Sequence, residues 1–147
     1  MIIKQVSAFL ENKQGRLCAA VDVLAKNGID ISALSLADTS EYGILRMIVD
    51  APERARDLLH ESGVTVRVSH VIAVAMNDRP GGAVDILHVL AGAGISVEYM
   101  YACVGRVSGK ALMVLRVDDR DRAEQLLHQS GFGDVRPDDI YRVPTEA

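Results

Sequence analysis

Apolar positions along this chain follow two periods, and the period changes at glycine, proline and short polar clusters. Ile2 to Leu10 reads as a strand. After Gly15, Leu17, Ala20, Val21 and Leu24 recur at helical spacing, which puts them on one inner face, and Asn27-Gly28 closes that helix. Ile29 to Leu36 predicts a second strand. Asp38-Thr39-Ser40-Glu41-Tyr42-Gly43 predicts a polar hairpin loop, and Ile44 to Val49 a third strand. Pro52 starts a helix that carries Ala55, Leu58 and Leu59 inward and ends at Ser62-Gly63. A β-rich run from Val64 to Met76 follows. The order is β-α-β-β-α-β, the split βαβ pattern of ferredoxin-like α+β domains.

The stretch Asn77 to Gly94 then repeats the opening move. It leaves a strand, makes a Pro-Gly turn, runs through a helix with Ala83, Ile86, Leu87 and Leu90 on one stripe, and stops at Gly92 and Gly94. Helix 81–92, strand 95–104, strand 110–117, helix 120–130 and a last strand near Ile140 to Val143 complete a second set.

The repetition extends to residues. Asn12-Lys13-Gln14-Gly15-Arg16-Leu17 stands 66 positions before Asp78-Arg79-Pro80-Gly81-Gly82-Ala83, and Ala25-Lys26-Asn27-Gly28-Ile29 before Ala91-Gly92-Ala93-Gly94-Ile95. Leu58-Leu59-His60 and Ser62-Gly63 return 68 positions later, as Leu126-Leu127-His128 and Ser130-Gly131. The two extra residues fit the loop from Gly105 to Gly109. The chain therefore reads as two copies of one fold, residues 1–69 and 70–147, with helices on one face of antiparallel sheets.

Two points stay open on the sequence. Val71 to Val74 matches both the first strand of copy two and, at the 68 offset, its last strand. Either Thr65 to Val68 closes copy one, or the copies exchange a strand around 64–76. The strands are also apolar on both faces: Leu45, Met47 and Val49 point one way, Ile44 and Ile48 the other. A second cover is expected, from another subunit or from the other copy.

Composition narrows the function classes. The net charge is −4, from 16 Lys+Arg against 20 Asp+Glu, and there are two Phe, four Tyr and no Trp, which argues against nucleic-acid binding. No apolar run has the length of a membrane span, and the N-terminus does not read as a signal peptide. The cysteines, Cys18 and Cys103, fall in different elements of the two copies and read as small core residues, so a reducing, cytoplasmic setting is expected. No nucleophile elbow, phosphate loop or metal-ligand spacing is present, and no catalytic residue, metal or cofactor is expected. His60 and His128 fall near helix ends, where the helix dipole suits a partly charged imidazole.

Asp78-x-Pro80-Gly81-Gly82, after a strand and before a helix ending in Ala-x-x-Gly-Ile, resembles the start of an ACT domain, a small βαββαβ regulatory module that binds amino acids. Copy two carries the Asp-x-Pro-Gly signature, with Ala83 where the family has leucine. Copy one has that leucine, Leu17, but Asn12 and Gln14 in place of aspartate and proline. The resemblance spans nearly the whole chain and implies a stand-alone tandem-ACT protein. It also implies a non-catalytic, amino-acid-binding regulator, a homodimer acting on a partner enzyme. The alternative is a regulatory subunit acting mainly through subunit contact.

The resemblance places the ligand between the glycine loop of one domain and the second strand of a neighbour. The loops are Asn12, Lys13, Gln14, Gly15, Arg16 and Leu17, and Asp78, Arg79, Pro80, Gly81, Gly82 and Ala83. The strands contribute Ser32, Ala33 and Leu34, and Glu98, Tyr99 and Met100. A helix N-terminus suits a carboxylate, glycine lets the ligand approach, and edge-strand carbonyls suit an ammonium group. Leu34, Met100 and Tyr99 point to an apolar or aromatic amino acid. Gly81→Val is expected to abolish binding with little loss of fold. Whether one or both loops bind stays open.

Overall fold

The computed structural model of the chain describes residues 1–38, 41–107 and 109–141. In chain order the elements are β1 (Ile2–Glu11), α1 (Arg16–Lys26), β2 (Ile31–Asp38), β3 (Tyr42–Val49), α2 (Pro52–Glu61) and β4 (Thr65–Asn77). Then come α3 (Gly82–Gly92), β5 (Val97–Val107), β6 (Lys110–Val117), α4 (Arg120–Gln129) and α5 (Pro137–Ile140). The antiparallel pairing and the repeated element order are those of an α+β, ferredoxin-like tandem. Two compact units are present: Lys4–Ser69, and Met1–Ile3 together with His70–Ala147.

In the first unit the strand order is β2-β3-β1-β4, which leaves β2 at the edge. Val6 faces Met47 and Ala8 faces Leu45 across β1 and β3. Alternation then sends Val6, Ala8, Leu10, Leu45, Met47 and Val49 to one side, where they bury against Ala20, Leu24, Ala55 and Leu59 of the two helices. The other face carries Gln5, Ser7 and Ile48, also buried, and the Gln5 amide donates to Ser7 Oγ at 3.1 Å. The second unit repeats the plan with β4-β6-β5, and β5 lies at its edge. Ile72, Val74, Leu115 and Val117 bury against Ile86, Leu90, Ala123 and Leu127.

β4 settles the strand question. It runs unbroken from Thr65 to Asn77, because nothing between those residues can turn the chain. Thr65–Ser69 belongs to the first unit and His70–Asn77 to the second. Beside the latter, Met1 and Ala73 exchange both backbone hydrogen bonds: Ala73 N–H to the Met1 carbonyl at 2.8 Å, and the Met1 amine to the Ala73 carbonyl at 3.1 Å. The first alternative describes Thr65–Ser69, while the pairing of Met1 into the second unit is named by neither. Thr65–Ser69 closes copy one, and the first residues of the chain pair into copy two.

The last strand expected near Ile140 to Val143 is replaced by a short helix, and Arg142 and Val143 lie outside the described residues. Pro137 holds a helical φ at the first position, and Asp139 Oδ2 accepts from Arg136 N–H at 2.8 Å, which closes the turn. Ala75 N–H is instead taken by the Phe132 carbonyl at 3.2 Å. This segment also supplies a cover that neither expectation named. Val135 and Ile140 are buried, and α5 packs on β5 of the same unit. Thr39 and Ser40 of the predicted hairpin loop lie outside the described residues. Of the loop placed at Gly105 to Gly109, residues 105–107 continue β5.

The cysteines separate. Cys18, expected in the core, is exposed on α1, one step past the Ala20–Leu24 stripe. Cys103 is buried in β5, and burial pushes its thiol up from 9.0 to about 11. At pH 8 a disulfide reagent should therefore modify one thiol per native chain quickly and the second only on unfolding, and Cys18→Ser should remove the fast reaction. The unfolded thiol ionises first, so the contribution of buried Cys103 is complete below pH 9.0 and falls as pH rises towards about 11.

Candidate functional site

The first glycine loop takes over from β1 one residue past its last paired position, Glu11. Asn12 N–H donates to the Glu41 carbonyl at 3.0 Å, Lys13 N–H to Glu11 at 2.8 Å and Arg16 N–H to Lys13 at 3.2 Å. Gly15 turns the chain into α1 with φ 84° and ψ −9°, a conformation that strains any residue with a Cβ. The first turn of α1 holds no acidic side chain. Leu17 is consequently turned out of the core. Instead of packing inward as its spacing suggested, it borders a cavity of about 310 Å³.

That cavity lies wholly within the first unit. Leu10, Leu17 and Leu36 form its apolar wall, and Asn12, Lys13, Glu11 and Asp38 its polar rim. Gly43 completes the lining; a side chain there would press on Leu36 Cδ1, at 3.2 Å from its first atom. Glu11 Oε2 lies 3.0 Å from Lys13 Nζ and 3.7 Å from Arg16 Nη2. The Lys13 hydrogen bond, then the charges of Lys13 and Arg16, hold the Glu11 carboxyl below the ordinary range. These groups are exposed, so their attractions are weak and screened by salt. Their arrangement still offers cations and carboxylates on one rim around three leucines. It can hold a small zwitterion by both charges and an apolar side chain by burial.

The second glycine loop has the same backbone and a different dressing. Gly81 has φ 83° and ψ −2°. Gly82, which replaces Arg16 of the first loop, is buried, and a Cβ there would lie 1.9 Å from the Asn77 carbonyl oxygen. Arg79 folds back over its own turn: Nη1 donates to the Pro80 carbonyl at 3.2 Å and Nη2 to Asp85 Oδ2 at 2.6 Å. On the neighbouring strand of this unit, Glu98 Oε2 accepts from Arg116 Nε at 2.9 Å. Tyr99 stacks with Tyr101 at 6.5 Å, and Met100 packs on the second core.

The family described as an ACT domain pair matches residues 1–142. The chain belongs to the ACT domain-pair family. No curated protein matches it. Among solved structures, protein BT0572 from Bacteroides thetaiotaomicron is 34% identical with a TM-score of 0.87, covering 97% of this chain and 98% of that one. The regulatory subunit of aspartate kinase from Thermus thermophilus is 13% identical with a TM-score of 0.62, covering 88% and 94%. E. coli aspartokinase III, in complex with lysine and aspartate, is 21% identical with a TM-score of 0.51, covering 88% of this chain and 32% of that one. The last two are likenesses of fold.

In this ACT pair, Asn12, Lys13 and Leu17 come together at the cavity, while Gln14, Gly15 and Arg16 complete the loop that carries them. Ser32 and Ala33 do not join them; both are buried in the sheet, and Leu34 is exposed at its edge. A β-bulge between Ile31 and Ala33 shifts the alternation by one residue, so a strict period read from Ile31 places the wrong side chains outward. Leu36, Asp38, Glu11, Leu10 and Gly43 escaped the sequence reading. Carrying the alternation on from Leu34 would have reached Leu36 and Asp38. Asp78, Arg79, Pro80, Gly81, Gly82 and Ala83 form one tight turn, with Glu98 already paired to arginine. The expectation of an intact fold for Gly81→Val is corrected: φ 83° excludes a β-branched residue without strain. Among the described residues no group of three or more His, Cys, Asp or Glu is placed to hold a metal ion, and no helix is long and apolar enough to cross a membrane.

Proposed function

We propose that this ACT pair is a non-catalytic, cytoplasmic regulator that binds a free amino acid at its first glycine loop. The cavity bounded by Leu10, Leu17 and Leu36 and rimmed by Lys13, Glu11 and Asp38 carries the reading. The ligand carboxylate is received by Lys13 and Asn12, its ammonium group by Glu11 and Asp38, and an apolar or aromatic side chain by the leucines. Lysine and aspartate bound to a fold neighbour, E. coli aspartokinase III, support a small amino acid as the ligand class. The exposed edge of β2, with Leu34 and Leu36 outward, supports pairing of two copies as a homodimer, in which ligand binding biases the state offered to a partner enzyme.

A second reading has one observation of its own. The Thermus thermophilus neighbour is a regulatory subunit of aspartate kinase. A subunit acting through contact alone would share this fold and need no ligand. A thermal-shift screen against the twenty amino acids separates the two. At a hundredfold excess over Kd a ligand adds about 2.7 kcal/mol and raises Tm by roughly 5–10 °C. A rise confined to apolar or aromatic amino acids is the expected result. No rise with any of them would remove the sensor reading in favour of the contact-only subunit.

A further inference from the structure

The two glycine loops share a backbone but differ in charge and in what covers them. Loop one brings two cations, Lys13 and Arg16, against the Glu11 carboxylate, with Asp38 on the same rim. Loop two sets its one cation, Arg79, against the Asp85 carboxylate at 2.6 Å. Asp85 already stands in the first turn of α3, where α1 has no acid. The first loop therefore has a second cation to offer a ligand carboxylate, whereas the single arginine of the second is already bound to a carboxylate.

Space points the same way. A Cβ built on Gly15 would meet nothing within 4 Å, and Leu17 beside it borders the open cavity. A Cβ on Gly81 would lie 3.7 Å from Arg79 Nη1, so the guanidinium lies over the glycine that should admit a ligand. That guanidinium is tied at both ends, to the Pro80 carbonyl and the Asp85 carboxylate. At this loop the protein satisfies with its own arginine the acceptors that a ligand ammonium group would seek.

We propose that the second glycine loop is occupied from within by Arg79, so that each chain takes one amino acid, at the first loop. This rests on the reading of the first loop as a ligand site. It reverses the order suggested by the motif, since copy two carries the Asp-x-Pro-Gly signature. The signature there serves the turn, and the looser Asn12-Lys13-Gln14-Gly15 loop serves the ligand.

Titration calorimetry on the full chain tests this, with L-leucine, L-valine, L-methionine, L-phenylalanine and L-tyrosine in turn. The expected result is one molecule bound per chain by at least one of them. Leu17→Asp, at an exposed position, should weaken that binding ~30-fold or more, because the burial of one leucine against the ligand is lost. Arg79→Ala should leave the affinity of the first loop unchanged, and a second molecule taken up by this variant alone would support the arginine as the occupant of the second loop. Asn12→Ala, on the same cavity, repeats the test if Leu17→Asp fails to fold. Two molecules per wild-type chain would overturn the proposal and leave amino-acid binding standing. So would binding that Arg79→Ala abolishes and Leu17→Asp spares. If none of the five binds, the ligand reading of the first loop falls, and this proposal with it.

Discussion

Gly82→Ala is expected to destabilise the protein by about 3 kcal/mol and to lower Tm by roughly 6–12 °C. The added Cβ would stand 1.9 Å from the Asn77 carbonyl oxygen and 3.0 Å from its carbonyl carbon. Both neighbours are backbone, so no flexible side chain can move aside. The same oxygen accepts from Arg79 N–H at 3.0 Å, so displacing it also opens the turn that starts α3. The equivalent residue of the first loop carries a full side chain. Arg16→Ala removes only an exposed ion pair to Glu11, at 3.7 Å, and is expected to change stability by less than about 0.5 kcal/mol. Urea denaturation of both variants, followed by far-UV circular dichroism, checks the pair. Wild-type stability in Gly82→Ala would mean that α3 does not start against Asn77.

Leu24→Ala and Leu90→Ala are each expected to lose about 3 kcal/mol, within the usual range for emptying a leucine site. The two residues stand 66 positions apart at the same place in the repeat, with 0% and 1% exposure. Each faces its own core, Leu24 with Met47 and Leu59, Leu90 with Leu115 and Leu127. The neighbours named in each core are apolar, so a cavity among them gains no polar contact in exchange for those lost. Amide exchange should report the damage in different places. Leu24→Ala should lower protection in α1 and β1, and Leu90→Ala in α3 and β6. Uniform loss of protection in both variants would contradict separate cores.

Much of this fold is written locally. Leu24 and Leu90, Gly15 and Gly81, and Leu59 and Leu127 recur in order, and each belongs to an element whose spacing already names it. What escaped has non-local or sub-residue causes. The bulge at Ile31–Ala33 separates the faces of Ser32 and Leu34, and nothing in Ile-Ser-Ala-Leu marks where the extra residue falls. Leu17 fits the α1 stripe by spacing, yet it sits in the first turn, beyond the reach of the core, and serves the cavity. The repeat offset invited a strand near Ile140, where Pro137 instead opens a short helix. In the candidate site, the loop was legible because glycine and a following helix leave a signature. Asp38 and Glu11 were not, since their proximity depends on how β2 and β1 end.

The shared strands bear on the time course of folding. The second unit is discontinuous: its Ala73 pairs with Met1, 72 residues earlier. Between Met1–Ile3 and their partners in β4 lies the whole of Lys4–Ser69. Those three residues must then wait, while β1 beyond them can already pair with β3. Closing so long a loop is slow compared with forming a helix or a hairpin. The N-terminal end of β1 is thus a late event, and a chain stalled before β4 is complete would expose an unpaired strand end open to a wrong partner.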